Sequence, residues 1–489
     1  MPLNGNIYGA FVREARERPG APAIIFPEVS FSYDRMDRLA MAFASRMSLA
    51  GVGPRSTIMV QSSDPLVVLA TLLATSHLGA SIVQDNEGLL LPSGLSVTHY
   101  FHTVEPERTP SADSLLIDAE WSPALSPIQT PAAEEDPEKP WLYVYTSGTT
   151  GVPKFLALSQ QMVCDRSKAV ADEFLAGKTR FASLMPCNSR AFIARALAAL
   201  LNGATIVDGK DFEFWRRSGV NMVSGSVAQM LGFFGTTTLN PRLPVAEVIG
   251  SRLLKSDAQK LLRSFVSVQD VFGASEASKL FANVSTLAPD GTVTTSGQMR
   301  DSKIEVVDID GNPVAPGTNG ILRIRNPYMA AGYVGDPVAS QDAFRDGWFY
   351  PGDVAAWGEA GTLQILNRTD NILNIKGFKI NAFIVDQVLR SATGIRESVC
   401  FKNPKEGAPD ELFAFVVFEE GCNRLQAVEI ARQQCRVKLG PALVPRVIRG
   451  VAGLPRGSDG SPDRKACAGF ILELDKRNSG QGELSKGGS

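Results

Sequence analysis

Residues 145–154 read Tyr-Thr-Ser-Gly-Thr-Thr-Gly-Val-Pro-Lys, and the rest of the chain can be read outward from them. The apolar residues up to Val144 predict a short buried strand, after which the chain turns to hydroxyls and glycines. Such a loop can wrap its backbone N–H groups and the hydroxyls of Thr146, Ser147, Thr149 and Thr150 around an anion. Gly148 and Gly151 permit close approach and positive φ, Pro153 stiffens the exit, and Lys154 adds a mobile positive charge. The competing reading is a polar surface turn that ends in a lysine. A phosphate loop of the G-x-x-x-x-G-K-[ST] kind is excluded, because Pro153 precedes the lysine and Phe155 follows it. Nucleoside triphosphate is therefore expected to be handled by a different geometry.

Composition narrows the alternatives. A chain of 489 residues is too long for one ordinary core, so two or more domains are expected. A formal net charge of −2 gives no case for binding nucleic acid or an anionic membrane. The six cysteines are scattered without C-x-x-C spacing, which suits free thiols rather than a disulfide frame or a zinc site. The three histidines, His77, His99 and His102, lie outside every motif region, which argues against a histidine general base or a histidine-rich metal site. Without a leader or an 18-residue apolar run, the expected location is cytoplasmic.

Residues 1–90 alternate helical and strand periods, with an apolar stripe at Met36, Leu39, Ala40, Phe43 and Ala44 on one helical face. That alternation predicts α/β layers around parallel strands. The stretch 105–140, rich in proline, serine and acids, reads mostly as surface connection. Strand–loop–helix units follow at 181–208, 221–234 and 248–276. Their loops (Cys187-Asn-Ser, Ser224-Gly-Ser, Gly250-Ser) would line a crevice beyond the carboxyl ends of parallel strands. Taken singly, each is an ordinary connection. Residues 303–366 change to alternating, half-exposed strands, and predict a barrel-like antiparallel subdomain. A compact α+β unit comes next, and the last residues, rich in glycine, serine and lysine, are expected to be disordered.

Several spaced signatures now stand together: residues 145–154, Val-Phe-Gly-Ala-Ser-Glu at 271–276, Gly-Trp-Phe-Tyr-Pro-Gly-Asp at 347–353, Asn-Arg-Thr-Asp at 367–370, Lys-Gly-Phe-Lys-Ile at 376–380 and Leu-Pro-Arg at 454–456. In this order and spacing the chain resembles the acyl-adenylate-forming superfamily of acyl- and aryl-CoA ligases, peptide-synthetase adenylation domains and beetle luciferases, over about residues 8–470. The resemblance implies a large ATP- and acid-binding domain over 1–368, with mixed and parallel sheets plus the barrel-like part. It also implies a small mobile α+β domain over 369–473, followed by a tail at 474–489.

By the same resemblance, Thr146, Ser147, Gly148, Thr149, Thr150, Gly151 and Lys154 cradle the ATP phosphates, and Glu276 holds Mg²⁺, a hard cation that prefers carboxylate and phosphate oxygen. Gly250, Ser251, Asp270, Val271, Phe272, Gly273 and Ser275 would surround the nucleotide, with Phe272 where relatives carry a tyrosine stacked on adenine. Asp353 would accept the ribose hydroxyls, and Ile365 and Arg368 would complete the contact. Asp370 would be a hinge. Lys376, Gly377 and Phe378 would lie on the loop brought in for the second half-reaction. The acid pocket would be lined by Asn188, Phe192, Val223, Ser224, Gly225, Ala274 and Lys279. Either Arg190, Arg195 or Lys279 could pair with a second acidic group, or all three could be solvated surface charges.

Three departures from the family pattern carry weight. The terminal motif normally ends in a lysine that bridges substrate carboxylate and α-phosphate, but here the register puts Ser461 at that place, with Lys465 four residues on. Lys465 could substitute through a shifted loop, Ser461 could be an engineered replacement, or adenylation could be slow or altered. The loop at 187–190 has no aspartate for an α-ammonium group, which disfavours an amino-acid substrate. Phe155 replaces the usual glycine. The resemblance thus implies an enzyme that activates an aryl or short acyl acid with ATP and Mg²⁺ and passes it to CoA or to the phosphopantetheine of an acyl carrier protein. The alternatives are transfer to an amine or another nucleophile, and a degenerate nucleotide-binding module.

Overall fold

The computed structural model describes residues 5–84, 91–104, 113–118, 121, 136, 138–146, 154–308, 311–368, 372–375, 378–404, 411–456 and 462–472. The chain gathers into two compact units. The first comprises Met1–Glu305, Arg323–Pro351 and Gly358–Leu363; the second comprises Val306–Leu322, Gly352–Trp357 and Gln364–Ser489. Among the described residues no helix is long and apolar enough to cross a membrane.

The first unit is built on two sheets. In the larger, the strands Pro22–Ile25, Thr205–Val207, Arg180–Ser183, Met222–Gly225, Leu243–Ile249 and Phe265–Ala274 lie side by side and parallel. Thr205–Val207 and Met222–Gly225 are buried at every position, as strands covered by helices on both faces must be. Ser278–Leu287 and Val293–Met299 extend the sheet antiparallel, and the outer strand has no fully buried residue. The second sheet runs Asp113–Leu116, His99–His102, Thr57–Gln61, Ser81–Gln84, Pro140–Thr146, Lys154–Ser159. Only its last pair is antiparallel.

Local chemistry sets the helices. Pro65–His77 starts on an Asp64 cap with proline in its first turn, and it is apolar around most of its circumference because nearly all of it is buried. Arg190–Leu201 starts on the Ser189 hydroxyl and packs an alanine- and leucine-rich face into the main core. Under the other half of the large sheet, Phe212, Trp215, Phe233, Phe234 and Phe265 form one aromatic cluster.

One expectation is corrected. Residues 105–140 were expected to be connection, yet Asp113–Leu116 pairs parallel with His99–His102. It is an edge strand with no buried position, so it leaves no apolar alternation to read.

In the second unit, Ile395–Lys402, Leu412–Phe418 and Val447–Gly450 form a three-stranded sheet against Ala382–Arg390 and Arg424–Leu439. Ile372–Ile375 and Phe378–Asn381 form a separate antiparallel pair. Arg464 is anchored here by an ion pair to the buried Asp386 and a hydrogen bond to the Cys400 carbonyl at 2.5 Å. The strand Asp353–Trp357 begins at a buried aspartate and lies beside Leu363–Arg368. The expected tail at 474–489 falls outside the described residues.

Candidate active site

The carboxyl ends of Arg180–Ser183, Met222–Gly225, Leu243–Ile249 and Phe265–Ala274 are adjacent along the parallel sheet, so the loops after them leave from one edge. Gly250 and Ser251 are exposed there, with Gly250 at φ 98°, a conformation that glycine adopts at little cost. Ser226 forms a capping box with Gln229, which fixes the start of Val227–Phe234. Phe272, near the carboxyl end of Phe265–Ala274, is half-buried, and Val271 is buried.

Beyond Ala274 the chain reverses sharply. Ala274 pairs with Ser278, leaving Ser275, Glu276 and Ala277 as the turn of an antiparallel hairpin. The register shifts at Phe272/Gly273, and a Cβ on Gly273 would stand 2.9 Å from the Ser278 carbonyl oxygen, so this close approach requires glycine. Glu276 is only 8% exposed. Its Oε1 accepts a hydrogen bond from the Tyr333 hydroxyl at 2.9 Å, and its carbonyl accepts one from the Ala330 N–H at 2.7 Å. The Ser275 hydroxyl is buried without a hydrogen-bond partner among the described residues.

Arg166 holds this turn from the helix Gln160–Lys168. Its guanidinium donates to the carbonyls of Ser275 (2.8 Å), Glu276 (3.2 Å) and Tyr328 (2.6 and 3.1 Å). Burial pushes the guanidinium down to about 10, with Glu276 opposing that shift. Arg190, the first residue of its helix, is also lowered by burial; Glu276 and then Tyr145 act against the shift. Two arginines therefore share the electrostatic surroundings of one carboxylate.

Lys154 enters from the other sheet. It opens the strand Lys154–Ser159 and pairs antiparallel with Thr146, so the two ends of the glycine- and hydroxyl-rich loop face each other. Its ammonium sits 4.8 Å from the centroid of the Tyr333 ring. Tyr333 is fastened to the same strand by a bridge to Leu156, and the Val334 N–H donates to the Phe155 carbonyl at 2.8 Å. Ser147, Gly148, Thr149, Thr150 and Gly151 lie outside the described residues.

Other expected residues have different placements. Desolvation pushes the Asp270 carboxyl up to about 7, against the Leu253 N–H, Arg252 and Asn283. Lys279, expected in the acid pocket, instead places its ammonium 2.6 Å from Glu173 and 2.8 Å from Glu247. Arg195 reaches Glu247 at 2.7 Å, and Arg300 joins Glu173 and Asp172. Burial pushes the Glu247 carboxyl up, but the Arg195 and Lys279 charges outweigh it and hold it below the usual carboxylate range. With both cations taken up by internal carboxylates, Lys279 and Arg195 have structural roles. Phe192 and Val223 are packed into the two apolar cores, whereas Asn188 is exposed. Ser224 is buried beside Ser183, and Gly225 and Ala274 end their strands.

In the second unit, Asp353 and Ile365 lie on neighbouring strands, and Arg368 ends the latter. Phe378 opens Phe378–Asn381. Asp370, Lys376, Gly377 and Ser461 are outside the described residues. Lys465 is exposed on a helix over 464–472 whose start is capped by Asp463, next to the anchored Arg464.

Residues 92–334, which contain Thr146, Lys154, Arg166, Arg190, Glu276 and Tyr333, match the model of the family described as AMP-binding enzyme. The match covers just under half of the chain, and over that stretch the chain is similar to AMP-binding enzymes. Surfactin synthase subunit 1 of Bacillus subtilis (strain 168) is 24% identical over 93% of this chain, which spans 14% of that relative. Probable CoA ligase CCL9 of Humulus lupulus is 25% identical over 96% of this chain and 98% of its own length. The chain thus covers a small part of the first relative and nearly the whole of the second. The fold is that of the adenylate-forming enzymes: O-succinylbenzoate Coenzyme A Synthetase (MenE) from Bacillus subtilis, in complex with AMP, superposes with a TM-score of 0.79 at 17% identity, over 93% of this chain and 97% of that one.

Two side chains of the matched stretch escaped the sequence reading. Arg166 gives no local signal, because its partners are carbonyls more than a hundred positions away. Tyr333 follows a glycine in an otherwise ordinary loop, and only its approach to Lys154 and Glu276 marks it.

Proposed function

We propose that this protein is an ATP-dependent carboxylic acid ligase. It joins an aryl or short acyl carboxylate to the α-phosphorus of ATP, expels pyrophosphate, and passes the acyl group, with release of AMP, to the thiol of CoA or of a carrier-protein phosphopantetheine. The observation that carries this reading is the buried turn of Glu276 at the carboxyl edge of a parallel sheet, its carbonyls held by Arg166 and its carboxylate bonded to Tyr333, whose ring faces the Lys154 ammonium. An attacking carboxylate and a polyphosphate repel each other as negative charge builds on phosphoryl oxygen, and fixed cations and N–H groups stabilise that charge. Such chemistry needs positioning and electrostatics rather than an imidazole base, which suits a chain with three histidines.

Glu276 fits the role of Mg²⁺ holder. Mg²⁺ is commonly bound by one or two carboxylates together with substrate phosphates, and no cluster of three or more ligating side chains exists among the described residues. When bound, the ion would neutralise charge on the phosphate oxygens. The unpartnered Ser275 hydroxyl and the half-buried Phe272 ring supply a hydrogen-bonding group and a stacking face for the nucleotide. Asp353, at the head of its strand, is proposed to hold the ribose, with Ile365 and Arg368 beside it.

A second reading rests on Ser461. A serine cannot neutralise two converging anions, so the second reading is a chain that binds nucleotide but adenylates weakly, or one that transfers to an amine instead of a thiol. Acid-dependent ATP–pyrophosphate exchange over a panel of acids tests the proposal, with Ser461→Lys measured alongside. Exchange in the natural chain is the expected result. Exchange only in Ser461→Lys would favour the weak-adenylation reading, and none in either would overturn the ligase. Thioester formation with CoA against a carrier protein bearing a free phosphopantetheine thiol decides the acceptor.

A further inference from the structure

We infer that Tyr333 is a positioning residue that ties the phosphate-loop lysine to the metal-holding glutamate, so that both are set by one side chain. The inference rests on the ligase reading above only through the roles given there to Lys154 and Glu276. Its geometric basis is independent. One end of the tyrosine, its hydroxyl, donates to Glu276 Oε1 at 2.9 Å, and its ring face receives the Lys154 ammonium at 4.8 Å. The backbone is held at the same place: Tyr333 bridges Leu156, Val334 donates to Phe155, and Ala330 donates to the Glu276 carbonyl. The loop 330–334 is therefore bonded on one side to the strand that begins at Lys154 and on the other to the turn that carries Glu276.

The two halves of the tyrosine do different work. A hydroxyl bonded to one carboxylate oxygen fixes the rotamer of Glu276 and directs the remaining lone pairs, as outer partners of metal ligands generally do. A ring beneath an ammonium holds that charge in place without setting a carboxylate against it. An acidic residue in the same position would pair with Lys154 and repel Glu276. Phenylalanine keeps the ring and loses the hydroxyl; leucine loses both. The side chain can thus be dissected by substitution.

The test is calorimetric binding of ATP by the full chain, with and without Mg²⁺, for the natural protein, Tyr333→Phe and Tyr333→Leu. Tyr333→Phe is expected to need about tenfold more Mg²⁺ for half-maximal ATP uptake, with metal-free ATP binding unchanged. Tyr333→Leu is expected to show the same Mg²⁺ shift and, in addition, about threefold weaker metal-free ATP binding. A general structural defect would lower both kinds of binding in both variants. The inference is overturned if Tyr333→Phe matches the natural protein in its Mg²⁺ requirement, or if its metal-free binding falls as far as that of Tyr333→Leu. Should Tyr333→Leu not fold, the Mg²⁺ titration of Tyr333→Phe decides alone. If the natural chain binds MgATP but neither it nor Ser461→Lys exchanges pyrophosphate with any acid, the ligase reading is overturned and this test stays intact. Absence of MgATP binding in the natural chain overturns the inference itself.

Discussion

Lys154→Met should lower acid-dependent ATP–pyrophosphate exchange by about 10²–10³, the usual loss when one preorganised charge contact to a reacting group is removed. Rapid-quench exchange measurements check this. Ser275→Ala is a finer probe. Its hydroxyl is buried without a partner among the described residues, so the free protein loses no hydrogen bond and its urea midpoint should not fall. On the proposed nucleotide contact the complex would lose one, and ATP affinity should then drop by about 1 kcal/mol in calorimetry. Asp270 carries a pH signature. Its folded pKa of about 7 lies above the unfolded value, so its stabilising share is complete below the ordinary carboxylate range and is lost as pH rises toward neutrality. Asp270→Asn removes that term. Relative to the variant, the natural chain should lose stability between about pH 4 and about pH 7, and paired urea titrations across that window would show no difference in slope if the reading is wrong.

At the scale of elements, hydrophobic period made most of the first unit legible. The stripe expected at Met36, Leu39, Ala40, Phe43 and Ala44 is buried in the helix Tyr33–Leu49, and the strand Thr57–Gln61 buries alternate residues. Lys154–Ser159 was not read, since a strand that starts on the charged end of a polar loop looks like the exit of that loop. Its antiparallel pairing with Pro140–Thr146 is what turns the motif into a hairpin. The candidate site was proposed from motifs where a motif exists, as with Glu276 and Phe272. It was illegible where long-range contacts decide, as with Arg166, Tyr333 and the fate of Lys279. That last residue belongs to the Ser278–Leu287 strand, and its side chain is only 2% exposed between Glu173 and Glu247. Lys279→Met leaves those carboxylates short of a partner and should destabilise the first unit by about 3–5 kcal/mol, read as a fall in the denaturation midpoint. The sign with pH follows from Glu247. Its carboxyl is held below the unfolded range, so the stabilisation is present at neutral pH and is lost as pH falls through the folded value. Lys279→Met should therefore also weaken the acid sensitivity of unfolding.

For the whole chain, the alternation of helix and strand signals correctly implied α/β layers, and spacing placed the adenylate-forming motifs in order. No arithmetic of composition could say which cations would be internal, because burial is a property of the assembled sheets. All six thiols are free, five of them buried and Cys422 partly accessible. A native chain treated with an aromatic disulfide reagent should release about one equivalent quickly, with the remainder following global unfolding; rapid release of more would show that one of the cores opens under native conditions. The ionic cluster of Glu173, Arg195, Glu247 and Lys279 sets a different limit. Each member is held by at least two others' charges, drawn from a turn, a helix and two strands. An oily replacement can succeed only if all four positions change in concert, since every single step strands a charge in the interior. Sequence drift there is expected to come as a block, and the hairpin bearing Glu276, three residues before Lys279, inherits that conservatism.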